Sequence, residues 1–595
     1  MQKSVAARKW PSRLSACLLF SGILAGAAFG MAAQAPASDT ILDRVQAVIQ
    51  TRLDSDPALT SLSCQGEMIC GIQMLPQAYR HKDHLPLWID ASLRLEKAEA
   101  LAEAIARAGD DGLAPQDYHL DAIHDLLAAI NEQSSAANPA SVSPELWADL
   151  ELLLTDTFLL YGSHLAAGRV NPETLHTDWK ITPGAVDLLA SLDRAVSTGD
   201  VGAALAGLRP AHSGYATLRK ALAGLRSLAA ATNGWPVLES RETLRPGNRN
   251  AAVGELRRRL AASGDLDPTG PITDAQFFDD PLESAVKGFQ GRNGLDPDGI
   301  VGRETVDMLN VSVEQRILQV GLNLERWRWL PHDLGARYIM VNTADFNLKA
   351  VENDKVALQL RVMVGRPARR SPVFSADMTY LVVNPYWQVP TSIAVQDILP
   401  QLRKDSAYLS RRGIHLFRNW QADAPEVDPA TVDWQDYHAG RFPFRLRQDP
   451  GPGNDLGRIK FMFPNPFAVY LHDTPSRFLF KRVQRDFSSG CIRVESPVAL
   501  ADFVLAQDDR WTPETLSEVI EQGATRTIRL AHPVPVHLLY MTAWADESGV
   551  IQFRNDIYNR DRDLARALGR RRPNPPPVVV HPPDTLHPTF NTPER

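Results

Sequence analysis

Tyr338-Ile-Met-Val-Asn-Thr343, Phe346-Asn-Leu-Lys-Ala-Val-Glu352, Leu358-Gln-Leu-Arg-Val-Met-Val364 and Tyr380-Leu-Val-Val-Asn-Pro385 succeed one another at close spacing. Each alternates or clusters β-branched and aromatic residues between turn formers, which predicts short strands. Several such strands in a row predict a sandwich or barrel rather than a βαβ sheet. This texture runs from Gln315 to about Arg529. Its middle, about 390–460, is irregular and rich in Asp, Pro and Gly, with Trp420 and Trp434, and reads as an insertion that caps a cleft.

Upstream of the strands the pattern turns helical. Leu95–Ala106 and Leu146–Tyr161 repeat apolar residues at three-to-four spacing, and Ser143-Pro-Glu145 signals the start of the second helix. Residues 36–240 are therefore expected to form a helical scaffold. His119, His124 and His164 read there as surface or packing histidines, and His81 and His84 as part of a solvated loop. Between 241 and 312 the apolar set Val253, Leu256, Leu260, Ala285, Val286, Phe289, Leu295, Val301 and Leu309 suits three short helices, with Gly294, Gly299 and Gly302 as stops and turns. The motif Ala285-Val-x-x-Phe-Gln290, followed by Gly294-Leu-x-x-Asp-Gly299-x-x-Gly302, resembles the peptidoglycan-binding domain attached to many cell-wall enzymes.

The ends of the chain read differently. Lys3, Arg8, Lys9 and Arg13 precede an apolar run from Leu14 to Ala33, ending near Ala33-Gln34-Ala35. Residues 1–35 are thus an export signal, or a retained inner-membrane anchor, since the run is just long enough to span a bilayer. Removing those four basic residues makes the formal charge of −7 still more negative, which argues against a nucleic-acid or anionic-lipid partner. Residues 530–569 form a C-terminal segment, and 570–595 a proline-rich tail expected to be disordered.

Four cysteines cannot staple 595 residues, so the domains rely on apolar cores. Cys17 lies in the leader; Cys64 and Cys70, in one polar loop, can form a disulfide with each other. An exported chain normally pairs its thiols, which leaves Cys491 as the odd one. A cysteine is nucleophilic as the thiolate and needs a base or a positive field beside it. His472, at the expected end of a strand, is the candidate base. Gly490 allows close backbone approach, so amides near Ser489, Gly490 and Cys491 could form an oxyanion hole. Arg493 supplies positive charge or an ion pair.

His472 followed by Ser488-x-Gly490-Cys491-x-Arg493 resembles the active-site motif of the L,D-transpeptidase catalytic domain. Glu325-Arg-Trp-Arg-Trp-Leu330, Asn384-Pro-Tyr-Trp-Gln-Val-Pro390, Leu456-Gly-Arg-x-Lys-Phe461 and Tyr470-Leu-His-Asp-Thr-Pro475 narrow the resemblance to the large periplasmic L,D-transpeptidases of Gram-negative bacteria. The resemblance implies a multidomain α+β chain: helical scaffold (36–240), three-helix peptidoglycan-binding domain (241–312) and mostly β catalytic sandwich (313–529) with an inserted cap. It implies that Cys491 is acylated by a tetrapeptide stem, releasing D-Ala, and that a neighbouring stem's amine takes the acyl group in a 3-3 cross-link. His472 serves as the base, no metal or other cofactor is needed, and such enzymes are acylated by carbapenems.

Two positions depart from smaller relatives: Ser489 stands where many have histidine, and Asp473 where many have glycine. In the family the third partner is commonly a main-chain carbonyl, so Asp473 is expected to act through its backbone. Tyr470, Trp387 and Asn384 are expected to line the groove, or else simply to pack. The rival readings are an L,D-carboxypeptidase that passes the same acyl group to water and a non-catalytic wall-binding scaffold.

Overall fold

The computed structural model describes residues 40–54, 61–136, 138–181, 183–232 and 234–569; the leader at 1–35 and the tail at 570–595 lie outside the described residues. The helical scaffold has its own core, from Ile41 to Leu208, built around the helix Pro144–Ala167. That helix starts where Ser143 Oγ accepts the Leu146 amide at 3.2 Å, with Pro144 as its first residue. Its side chains from Trp147 to Ala166 are buried all round, so it serves as the axis of the domain.

A second core holds the helices Ala251–Ala262, Asp280–Arg292 and Arg303–Leu309. Here the Gln290 side chain donates to Asp298 Oδ1 and to the Ile300 carbonyl and accepts from the Gly299 amide, each at 2.9 Å. Gln290 thereby fixes the turn that Gly299, at φ +78°, makes.

The third core lies inside a mixed sheet of nine strands. In chain order its members are β1 (Trp179–Lys180), β2 (Arg337–Asn342), β3 (Asn347–Glu352), β4 (Lys355–Met363), β5 (Val373–Val383), then, after three cap strands, β9 (Ile459–Met462), β10 (Leu471–His472), β11 (Ile492–Val494) and β12 (Arg526–Leu539). The spatial order is β9-β10-β11-β4-β3-β2-β12-β5-β1, and β9 also pairs with β5, so the sheet closes on itself. Closure of the eight strands from β9 to β5 gives each of them an inward face, the reason Ile339, Val341, Leu348, Val362, Leu381, Ile459, Phe461, Leu471 and Ile492 are all buried. The cap strands β6 (Trp387–Gln388), β7 (Ile414–Phe417) and β8 (Arg445–Gln448) form a separate sheet in the order β6-β8-β7. It has its own core of Trp387, Leu399, Leu416, Trp434, Phe444 and Leu456.

The helix Val313–Arg328 joins scaffold to sheet. Glu325 accepts from the Arg169 and Val170 amides at 2.5 and 2.9 Å and from Arg328 at 2.8 Å, while Arg328 also donates to the Asp111 carbonyl. All of this is buried, which accounts for the charged residues in Glu325-Arg-Trp-Arg-Trp-Leu330. The scaffold is less separate than its composition suggests. β1, from the scaffold side, pairs parallel with β5, and Tyr215, Leu218 and Leu222 of the helix Ser213–Thr232 belong to the third core. A two-residue strand carries too little pattern to be read from sequence.

Two expectations on the scaffold side are corrected. Cys64 and Cys70 are separate thiols, so Cys491 is not the only unpaired one. The hairpin register sets Cys64 opposite Glu67 and leaves Cys70 beyond the end of the ladder. His84 is buried, with Asp54 at 3.3 Å, and is not a solvated loop residue.

Candidate active site

β10 and β11 run parallel, with Leu471 opposite Ile492 and His472 opposite Arg493. Leu471 and Ile492 face the core, and strand alternation sends Tyr470, His472, Cys491 and Arg493 to the other face. Lys460 of β9, paired with His472, joins them there. Cys491 therefore stands beside Tyr470, and His472 is its diagonal neighbour on the same face. Strand spacing and rise put their Cα atoms about 8 Å apart.

His472 is buried, and its Nδ1 lies 2.6 Å from the Asp473 carbonyl. A carbonyl only accepts, so Nδ1 carries the proton and Nε2 is left as the proton acceptor. The Asp473 carboxylate is used elsewhere: it accepts from the Arg458 amide at 2.8 Å, the Thr474 amide at 2.7 Å and Arg477 at 2.9 Å. Burial, and then the charge of Arg493, push the His472 pKa down to about 3. Burial pushes the Cys491 thiol up, against Tyr470, which hydrogen-bonds it through backbone and side chain, and against the charges of Lys460 and Arg493. At rest the thiol and the imidazole are thus both neutral, with Lys460 and Arg493 on the same face.

Lys460 was not singled out from the sequence. Its Nζ lies 4.0 Å from the Tyr470 ring centroid, and burial lowers its pKa. The available signal was its place in Ile459-Lys-Phe461, a charge between two buried residues on a strand.

The turn before Cys491 is tied from within. Ser488 Oγ accepts the Gly490 amide at 3.1 Å and donates to the Cys491 carbonyl at 2.5 Å. Gly490 adopts φ +118°, which L side chains rarely reach, so glycine is required there. Ser489 Oγ accepts from Arg369 at 2.8 Å, and Arg369 also grips Asp397 of the cap at 2.5 Å. One arginine thus connects the turn before Cys491 to the cap.

The remaining sequence-named residues fall elsewhere. Asn384 is wholly buried, and its amide donates to the carbonyls of Val519, Ile520 and Ala524, holding the end of the helix Pro513–Glu521. Trp387 packs in the cap core. Both have packing roles. Arg493 has a buried Nε without a hydrogen-bond partner and faces the site. Far from this face, Cys70, His119 and Asp156 bring potential ligand atoms within 4.8 Å of one another. There both His119 nitrogens already meet carboxylates, Glu67 at 2.9 Å and Asp156 at 3.0 Å.

Residues 336–528 match the family model described as the L,D-transpeptidase catalytic domain (YkuD). Residues 249–309 match a "Putative peptidoglycan binding domain", and 73–222 a scaffold domain. A "Putative L,D-transpeptidase" of Haemophilus influenzae is 34% identical over 267 residues, 44% of this chain and 53% of that protein, so the match spans about half of the relative's length. The N-acetylmuramoyl-L-alanine amidase CwlM of Mycobacterium tuberculosis is 43% identical over 76 residues, 12% of this chain and 19% of that protein. Among solved structures, an L,D-transpeptidase from Stackebrandtia nassauensis is 12% identical, covering 51% of this chain and 96% of that one, at a TM-score of 0.18. Another, from Mycobacterium smegmatis, is 9% identical, covering 34% and 58%, at a TM-score of 0.16. The chain thus carries a YkuD-type L,D-transpeptidase catalytic domain together with a peptidoglycan-binding domain, and is homologous to the Haemophilus protein.

Proposed function

We propose that the protein is an exported, wall-acting L,D-transpeptidase that forms 3-3 cross-links through a Cys491 acyl-enzyme. The observation that carries this reading is the shared sheet face of Cys491 and His472, with Nδ1 of His472 committed to a carbonyl and Nε2 left to take a proton. Nε2 of His472 removes the thiol proton as Sγ attacks the carbonyl of the donor's third residue. The carbon–sulfur bond forms, the bond to D-Ala breaks, and the imidazolium returns its proton to the leaving amine. In the second half, an acceptor amine attacks the thioester, Nε2 takes its proton, and the thiol is regenerated.

The Gly490 amide is committed to Ser488, so the oxyanion falls to the Cys491 amide. Arg493 and Lys460 favour a donor rich in carboxylates. Burial does most to hold the His472 pKa down; a substrate carboxylate on Arg493 would offset the smaller contribution of that charge.

The test is incubation with disaccharide-tetrapeptides and mass spectrometry of the products. Cross-linked dimers, lost in Cys491→Ala, are expected. Tripeptides without dimers would mean that water is the acceptor. Dimers that persist in the variant would refute the mechanism.

A further inference from the structure

We propose that Ser371, braced by Tyr558 and Arg560 of the C-terminal segment, is a positioning residue that aims the Cys491 amide into the oxyanion site. The inference rests on the reading of Cys491 as the acylated nucleophile and extends it to residues outside the matched catalytic domain.

Ser371 Oγ donates to the Gly490 carbonyl at 2.7 Å and accepts the Gly365 amide at 2.9 Å. The peptide bond between Gly490 and Cys491 is planar and trans, so its N–H points opposite to its C=O. Anchoring the Gly490 oxygen therefore fixes the direction of the Cys491 amide. Gly490 needs such an anchor: at φ +118°, with no side chain, the peptide that follows it is easily rotated.

Ser371 does not hold its place alone. The Tyr558 hydroxyl donates to the Gly365 carbonyl at 2.5 Å and accepts the Ser371 amide at 3.3 Å, so it closes both ends of the turn 365–371. That turn backs directly onto the nucleophile's turn: the Arg366 amide donates to the Ser488 carbonyl at 3.0 Å, and the Ser488 amide to the Val364 carbonyl at 2.9 Å. Arg560 donates to the Ser371 carbonyl at 3.4 Å and to Asp178 at 2.5 Å. Its guanidinium lies between the rings of Trp179, Tyr540 and Tyr558, with centroids 5.1, 5.1 and 5.3 Å away. Ser371, Tyr558 and Arg560 are all fully buried, so these bonds are shielded from water. Trp179 and Asp178 come from the scaffold side and Tyr558 and Arg560 from beyond residue 528; the brace is closed by parts of the chain that the catalytic domain lacks.

Two reactions of one sulfur separate aiming from general damage. Acylation by a carbapenem builds charge on an oxygen and needs the amide; alkylation by iodoacetamide displaces iodide and needs only the thiolate. In Ser371→Ala, acylation followed by intact-protein mass spectrometry is expected to fall roughly 10- to 100-fold, the scale of a displaced catalytic group. Alkylation of Cys491 should stay within about twofold of the parent, as an oxyanion amide plays no part in it. Tyr558→Phe keeps the ring and loses the hydroxyl, and should show the same split at a smaller size, about fivefold on the same argument. This second variant decides the matter if Ser371→Ala does not fold. Equal acylation in variant and parent, or acylation and alkylation falling together, would overturn the proposal. A parent protein that forms no adduct at Cys491 would instead refute the acyl-enzyme reading beneath it.

Discussion

Replacing Asp473 by Asn separates two ways of orienting His472. If the carboxylate were the third member of a triad, the amide would favour the wrong tautomer and turnover would fall about 10⁴-fold. The structure gives the task to the Asp473 carbonyl, 2.6 Å from Nδ1, which the substitution leaves in place. Turnover of Asp473→Asn is therefore expected to stay within about tenfold of the parent, the change being confined to local packing. Stability should change more visibly. The carboxylate satisfies the amides of Arg458 and Thr474 and the Arg477 guanidinium, at 2.8, 2.7 and 2.9 Å. Asn keeps an oxygen for Thr474 and Arg477 but turns its NH₂ against the Arg458 amide. One buried donor without an acceptor costs about 1–3 kcal/mol. The assays are dimer formation from disaccharide-tetrapeptides and urea unfolding of the same preparation. A loss of turnover of roughly 10³-fold or more in a folded variant would refute the backbone-partner argument, since only a catalytic carboxylate produces it.

Other outcomes follow from the same geometry. Lys460→Met removes a charge that lowers the Cys491 pKa, so the pH midpoint for alkylation of Cys491 should move upward; an unchanged midpoint would place Lys460 outside the thiol's field. His472 at about 3 and His537 at about 4 both lie below the ordinary 6.5, so between those limits the unfolded chain binds protons that the folded chain does not. Stability should therefore be lost as pH falls from about 6.5, by roughly 3 kcal/mol per histidine at pH 4, and His537→Gln should flatten the urea-midpoint profile over that window. Glu325→Ala leaves Arg328 buried without its partner and should cost about 3–5 kcal/mol in urea unfolding, with the sheet face of Cys491 untouched.

Cys491 and His472 were legible as candidates because a short motif fixes them locally. Ser488, Gly490 and Cys491 form one turn whose bonds close within four residues, and His472 ends the strand next to it. The three small helices were legible for a similar reason: their periodic apolar residues and glycine stops are local. The sequence failed to decide whether Asn384 and Trp387 line a groove or pack, because spacing does not say which way a side chain points; the structure ties Asn384 to the helix Pro513–Glu521 and packs Trp387 in the cap core. The pairing of Cys64 with Cys70 failed similarly, because closeness along the chain says nothing about the register of the hairpin that carries them.

By itself, the sequence determined the strand-rich domain around Tyr338-Ile-Met-Val-Asn-Thr343, the helical texture before it and the candidate residues Cys491 and His472, all properties of periodicity or of a few adjacent residues. Only the tertiary structure decided that eight of the nine strands close on themselves, that Lys460 shares a face with Cys491, and that Tyr558, Arg560 and Asp178 brace the turn before Cys491. Those pairings join residues as far apart as Asp178 and Arg560. They are selected by the burial of whole sheet faces, a free energy shared by the entire core and carried by no single stretch of sequence.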